Sequence, residues 1–191
     1  INFRLNGFPT KGFAMNVHFI GELKGANHLR CPNLSCHYKI VLDTHAKKPG
    51  CWLKMEGVED GWTQICAPEP VVWNHPIDLH YTTSSVETWP TVYLELWTQD
   101  ENGRNDVAGY GQAQLPASPG EHRVEVVVWR PRGTFLEGLR AFFLGGHPQL
   151  VSPISAIVDN NRFHPDFRTE TMGTVDLHLT VVTTESESKG I

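Results

Sequence analysis

The sequence lacks the features that mark several large classes of protein. Of its 191 residues only 19% are charged, which excludes a charge-rich disordered chain. No apolar stretch approaches the roughly 18–20 residues that a membrane-spanning helix needs. There is no long run of Lys and Arg, and 16 basic against 21 acidic residues give a net charge of −5. This balance argues against nucleic acid as the main partner and against bulk-charge binding to anionic membranes.

Motifs of the common catalytic sites are also missing. The sequence contains no Gly-x-Ser-x-Gly, no phosphate-cradling glycine loop and no His-Glu-x-x-His. His75 and His80 lie five residues apart in a predicted strand, so they point to opposite faces and are poorly placed to share a metal. We therefore expect no enzymatic activity, no small-molecule substrate and no cofactor.

Cysteine is scarce and its spacing is uninformative. The four cysteines are Cys31, Cys36, Cys51 and Cys66. None forms a Cys-x-x-Cys pair and no signal peptide precedes them, so we expect reduced thiols in an intracellular protein. Zinc ligation by cysteine with His37 and His45 is the alternative, but these spacings match no finger, knuckle or ribbon.

Alternation of apolar and polar residues is abundant. It predicts strands that each bury one face, at 34–42, 92–97, 123–128 and 174–181. Further strand candidates lie at 16–23, 51–56, 62–66, 72–81 and 108–115. Short strands separated by Gly-, Pro- and Asn-rich turns are typical of an antiparallel β-sandwich or barrel. Gly109 lies at the start of one such strand, and we expect a positive φ there.

The two ends differ from this pattern. Residues 1–14 lack an initiator Met and are predicted to be an N-terminal extension, since the cleaner pattern begins at Met15. Residues 15–184 are predicted to form one domain, and the polar residues 185–191 a C-terminal tail.

One internal segment has helical spacing instead. A short helix is predicted over 135–144, with Thr134 as its cap and two glycines after it. Two interpretations stay open: the helix closes one end of the sandwich, or it faces a partner. The second is suggested because Phe142, Phe143 and Leu144 together exceed what one helix face hides.

The loop after residue 97 holds several side-chain oxygens. Asp100, Asn102 and Asp106 flank Gly103 and are the ligand type that a hard cation requires. The same residues are typical of an Asx-rich β-turn, in which the carboxylates accept backbone amide hydrogens. The spacing of these residues favours the Asx-rich turn over a cation site.

A set of motifs indicates a family. They are Trp73–His80, Trp89-Pro90, Leu96–Gly111, Pro116–His122, Trp129–Pro131 and Gly145–Leu150. In combination they resemble the B9 domain family, and the match extends from about Met15 to Thr184.

The resemblance implies a fold and a role. The family is a divergent branch of the C2 domains, which implies a C2-like antiparallel β-sandwich of about eight strands. It implies a non-enzymatic scaffold subunit of the Meckel syndrome (tectonic-like) complex at the ciliary transition zone, near the basal body. The partners would be other B9 domain proteins in a hetero-oligomer. The role would be support of ciliogenesis and of the ciliary diffusion barrier, at a cytoplasmic location at the base of the cilium.

The calcium pattern of C2 domains is incomplete in this sequence. Cys36 stands where the first loop of a calcium-binding C2 domain carries a carboxylate, and Thr98 replaces an aspartate of the third loop. Asp100 and Asp106 match the two remaining aspartates. Because Ca²⁺ takes six to eight oxygens, two carboxylates are too few, and we expect a vestigial loop without a tight metal site.

Aromatic residues are the candidates for contact with partners. Trp89 and Trp97 lie at strand ends, and they are predicted as interface anchors together with Phe142, Phe143 and Leu144. The alternative function is a calcium-independent, peripheral lipid-binding module, and weak lipid contact is compatible with the scaffold role as well.

Overall fold

A computed structural model of the chain describes residues 13–29, 31–42, 52–67, 70–84, 89–131 and 168–187. In these residues the regular structure consists of β-strands. They are β1 (Phe13–Asn27), β2 (Leu34–Val41), β3 (Trp52–Gly57), β4 (Asp60–Trp62), β5 (Val71–Thr83), β6 (Thr91–Gln99), β7 (Asn105–Gln114), β8 (Gly120–Pro131) and β9 (Thr169–Glu187).

The described strands form one antiparallel sheet in the order β3-β5-β1-β9-β8-β7-β6-β2-β4. The sheet curls until its two halves face each other. The indole Nε1 of Trp73, on β5, donates to the carbonyl oxygen of Leu34, on β2, at 3.2 Å. The rings of Tyr38 and His75 join the same two strands at 5.4 Å between centroids. The fold-class prediction, an all-β antiparallel sandwich of the C2-like kind, is confirmed, with nine described strands where about eight were expected.

Buried and exposed side chains alternate along the strands, so the buried ones form a core between the two halves of the sheet. On β9, Val175, Leu177, Leu179 and Val181 are buried while the residues between them are at least partly exposed. β6 and β2 repeat the pattern, as period-two burial requires. The two predicted histidines of β5 do lie on opposite faces, because His75 contacts Tyr38 and His80 stacks outside on His18.

Three sequence predictions concern where elements and the domain begin and end. The strand predicted over 62–66 lies earlier, at Asp60–Trp62, and Cys66 makes only an isolated bridge to Leu34. The predicted helix over 135–144 lies outside the described residues. At the chain ends, β1 starts at Phe13, which pairs with Glu187 of β9. The domain boundaries at 15 and 184 stay a prediction.

The expectation of a positive φ at Gly109 is wrong. The described glycines with positive φ are Gly57, Gly103 and Gly120. Gly109 is required for close packing instead, because a Cβ there would lie 2.6 Å from Cγ1 of Val128 and 3.1 Å from the carbonyl oxygen of Trp129.

Candidate interaction surface

Trp89 lies in the core. Its side chain is 7% exposed and makes edge contacts with Phe19 and Trp52, at 6.1 and 4.9 Å between ring centroids. Its Nε1 donates to the carbonyl oxygen of Pro116 at 2.9 Å. The prediction of Trp89 as an exposed anchor is therefore corrected, because its surface is already covered by the molecule's own aromatic side chains.

Trp97 lies on the outer face of the half formed by β8, β7, β6, β2 and β4. It packs against a small cluster separate from the main core, whose buried members are Val107 and Tyr110. The indole Nε1 of Trp97 is buried and has no hydrogen-bond partner among the described residues. Its ring centroid lies 6.0 Å from that of Trp62, which is 52% exposed. Trp97 thus supports a neighbouring tryptophan that faces solvent.

Trp62 is held on this face by a histidine. Strand register places His37 of β2 between Trp62 of β4 and Glu95 of β6. The imidazole stacks on the indole of Trp62 at 4.5 Å with an interplanar angle of 13°. His37 Nε2 is 2.6 Å from Oδ1 of Asp60, and Nδ1 is 3.4 Å from Oε2 of Glu95. The two carboxylates fix the plane of the imidazole and so fix the indole stacked on it.

Asp60 completes this arrangement. Hydrogen bonds from His37 and Lys39 hold the pKa of Asp60 below its ordinary value, and Lys39 Nζ lies 3.0 Å from its Oδ2. Gly61, the next residue, packs directly on Tyr38, because a Cβ there would come within 2.7 Å of the phenol oxygen. β4 is therefore closely attached to β2 through both its faces.

The loop between β6 and β7 forms the Asx-rich turn. Asp100 Oδ1 accepts hydrogen bonds from the backbone amides of Asn102 and Arg104, both at 2.8 Å. The Arg104 amide hydrogen bond is the main reason that the pKa of Asp100 is lowered. Asp106 Oδ1 accepts from the amide of Val107 at 2.9 Å, and Gly103 has φ of 79°. The oxygens proposed for a cation thus serve the backbone of the turn.

The residues that replace calcium ligands in the other positions are also engaged. Cys36 is fully buried, and burial raises the pKa of its thiol far above the ordinary value. The hydroxyl of Thr98 donates to the carbonyl oxygen of Pro32. Among the described residues no three His, Cys, Asp or Glu side chains converge as a metal site. Cys31, Cys36 and Cys66 are free thiols, while Cys51 lies outside the described residues.

An open groove of about 670 Å³ crosses the outer face of β1, β9 and β8. It is lined by Ile20, Glu22, Glu121, Arg123 and His178, among others. Arg123 Nε donates to His178 Nε2 at 2.8 Å. Its lining is mostly charged and polar side chains of the sheet surface, including the hydroxyl of Thr180.

Exposed apolar side chains are concentrated elsewhere. Nine large apolar side chains of the described residues are exposed, and five of them fall between residues 53 and 65: Leu53, Met55, Val58, Trp62 and Ile65. We call residues 53–65 the edge segment, since it contains most of β3 and all of β4, the two terminal strands of the described sheet. Phe142, Phe143 and Leu144, the remaining predicted anchors, lie outside the described residues.

Comparison with known proteins places this chain in a family. The family model described as "Ciliary basal body-associated, B9 protein" matches residues 17–182. The chain is 37% identical over 180 residues to B9 domain-containing protein 2 of Danio rerio, covering 92% of this chain and 97% of that protein. The chain belongs to the B9 protein family. The same protein of Homo sapiens is 34% identical over 180 residues, with the same coverage of each chain.

More distant relatives extend the comparison. B9 domain-containing protein 1 of Mus musculus is 27% identical over 176 residues, covering 89% of this chain and 82% of that protein. Among solved structures, a C2 domain of plant extended synaptotagmin 1 aligns with a TM-score of 0.40 at 12% identity, over 89% of this chain and 93% of that chain. The B9 membership confirms the predicted resemblance and supports a ciliary role.

No helix in the described residues is long and apolar enough to span a membrane.

The sequence did not predict the edge segment or His37 as parts of an interaction surface. The signal available for them was weak: a tryptophan between a glycine and a threonine in a short, mixed stretch.

Proposed function

We propose that this chain is a non-enzymatic scaffold subunit that binds other B9 domain proteins at the base of the cilium. The observation that carries the proposal is the family membership over nearly the whole chain, with relatives among both B9 domain-containing proteins 1 and 2. A family with several homologous members offers related domains as partners, and sheet edges or faces are suited to such pairing.

The surface supports an assembly role. A tryptophan that is exposed, stacked on a histidine and backed by a second tryptophan has the character of an interface anchor. Within the assembly we place the chain in the Meckel syndrome (tectonic-like) complex at the transition zone, near the basal body. There it contributes to ciliogenesis and to the barrier between cilium and cytoplasm.

The test is purification of the tagged full chain from ciliated cells, together with its localisation by fluorescence. We expect other B9 domain proteins to co-purify in stable amounts and the tag to lie at the base of the cilium. A chain that stays monomeric in the presence of the other B9 proteins would contradict the scaffold role.

The alternative, a calcium-independent lipid-binding module, receives less support. A lipid-binding surface would use basic residues near exposed aromatic side chains, namely Arg104, Lys47, Lys48, Arg130 and Arg132. Arg104 is exposed in the turn between β6 and β7, whereas Arg130 forms an ion pair with Glu170. Lys47, Lys48 and Arg132 lie outside the described residues. Sedimentation with phosphatidylserine vesicles, with and without Ca²⁺, decides this alternative, and we expect no binding in either condition.

A further inference from the structure

The outer edge of β4 is open in the part of the chain that the structure describes. β4 pairs with β2 on one side, and no described strand lies on its other side. The pairing with β2 continues beyond β4 in both directions. Ile40 N donates to Glu59 O at 2.7 Å, Thr63 N to Cys36 O at 2.9 Å, and Leu34 exchanges two hydrogen bonds with Cys66. Backbone hydrogen bonds therefore attach residues 59–66 to β2, and within this stretch Gln64 Nε2 also donates to the carbonyl oxygen of Trp73 on β5 at 2.7 Å.

The backbone of this edge is ready to pair with another strand. Glu59 and Thr63 direct their backbone groups toward β2, as the two hydrogen bonds show. Because these groups alternate in direction along an antiparallel strand, those of Asp60 and Trp62 point away from β2. Unpaired N–H and C=O groups in such a row are a template for strand addition.

The side chains beside this edge define the chemistry of a partner. Val58, Trp62 and Ile65 are exposed and apolar. The charged groups on this segment or in contact with it are acidic Glu56, Glu59, Asp60 and Glu95 against basic Lys39 and Lys54, and His37 contacts Asp60 and Glu95. Four acidic against two basic groups leave a net charge of −2. A complementary strand has apolar side chains with Lys or Arg among them.

This charge separates the candidate occupants. A second copy of the chain would bring two surfaces of the same sign together, and an anionic membrane would be repelled. A related but not identical domain is free of this restriction, because its edge strand need not carry the same charges.

We propose that the edge segment is the docking site for another B9 domain, whose edge strand adds to β4 and covers Trp62. This inference rests on the proposed scaffold function and names the surface that performs it.

The experiment measures binding of the full chain to a second B9 domain protein from the same cell, by isothermal titration calorimetry. Trp62→Ser removes the anchor, and Val127→Ser is the matched control, because both residues are 52% exposed and Val127 lies on β8, away from the edge. We expect Trp62→Ser to weaken binding at least tenfold and Val127→Ser less than twofold. Ile65→Ser, which removes a neighbouring exposed side chain, is expected to weaken binding as well and serves if Trp62→Ser does not fold.

Hydrogen exchange gives a second readout specific to strand addition. The amides of Asp60 and Trp62 are expected to exchange rapidly in the free chain and to become protected in the complex. Equal binding by wild type and both edge variants, or equal losses in the Val127→Ser control, would overturn the assignment. So would edge-dependent self-association or vesicle binding, which would identify a different occupant. If wild type binds no B9 domain, the scaffold function itself fails, which is a distinguishable result.

Discussion

Replacement of Trp89 tests whether this tryptophan belongs to the core or to an interface. Trp89 is nearly enclosed by Phe19 and Trp52, and its indole nitrogen is bonded to the carbonyl of Pro116. Trp89→Ala removes two edge-to-face ring contacts, one hydrogen bond and the volume of an indole. Large aromatic to alanine changes in cores cost about 3–5 kcal/mol. We expect a loss of that size in the free energy of unfolding.

A graded variant separates the contributions. Trp89→Phe keeps an aromatic ring between Phe19 and Trp52 but loses the hydrogen bond to Pro116, so we expect a smaller loss of about 1–2 kcal/mol. For a domain of this size 1 kcal/mol shifts the melting temperature by about 2–4 °C, which makes the alanine variant melt about 10 °C lower. Trp62→Ala, at an exposed position, is the comparison and is expected to cost well under half as much.

The assay is urea unfolding followed by far-UV circular dichroism, which reports on the strands rather than on the missing indole. An alanine variant within about 0.5 kcal/mol of wild type would refute the core assignment. If that variant also lost binding to a B9 partner, Trp89 would be an interface residue, as the sequence alone first suggested.

Three further predictions concern packing, pH and thiol chemistry. Gly109→Val should destabilise the fold by more than about 1 kcal/mol, because its Cβ would overlap Val128, and an unchanged melting temperature would contradict this. Asp100→Ala should lower stability at neutral pH. Because the folded-state pKa of Asp100 is lowered, that loss should be complete above the unfolded value of about 3.9 and fade as pH falls through the folded value, as acid titration of both proteins will show. Cys36 should resist alkylation in the native chain while the partly exposed Cys66 reacts, and mass spectrometry showing equal labelling would be inconsistent with its burial.

The strands were predictable because their burial follows a local rule. On β6 the inward residues Val92, Leu94 and Leu96 alternate with outward ones, so the face of every side chain follows from its position. Trp97 follows Leu96 and must therefore lie on the outer face, where the structure places it. Trp89 precedes β6 and lies outside the alternation, so the sequence could not show that its ring turns inward.

The candidate site was less predictable because its exposure depends on distant parts of the chain. The alternation of β3 is interrupted by a bulge at Met55, and β4 is only three residues long. Neither strand therefore shows a clear alternation of apolar and polar residues. The contact of Trp62 with His37 joins residues from different strands, and strand pairing rather than local pattern brings them together.

Whether an apolar side chain at such a position is core or surface is decided by which strand ends the sheet. In a central strand Trp62 would have a neighbour on each side and Asp60 would have its backbone groups paired. As the terminal strand of the described sheet, β4 leaves those groups and that indole open on one side. Natural sheets usually protect such an edge with charge, and here the nearby acidic groups do so against copies of the same chain. The same groups favour a partner strand of opposite charge, so protection from self-association and recognition of a different B9 domain follow from one arrangement.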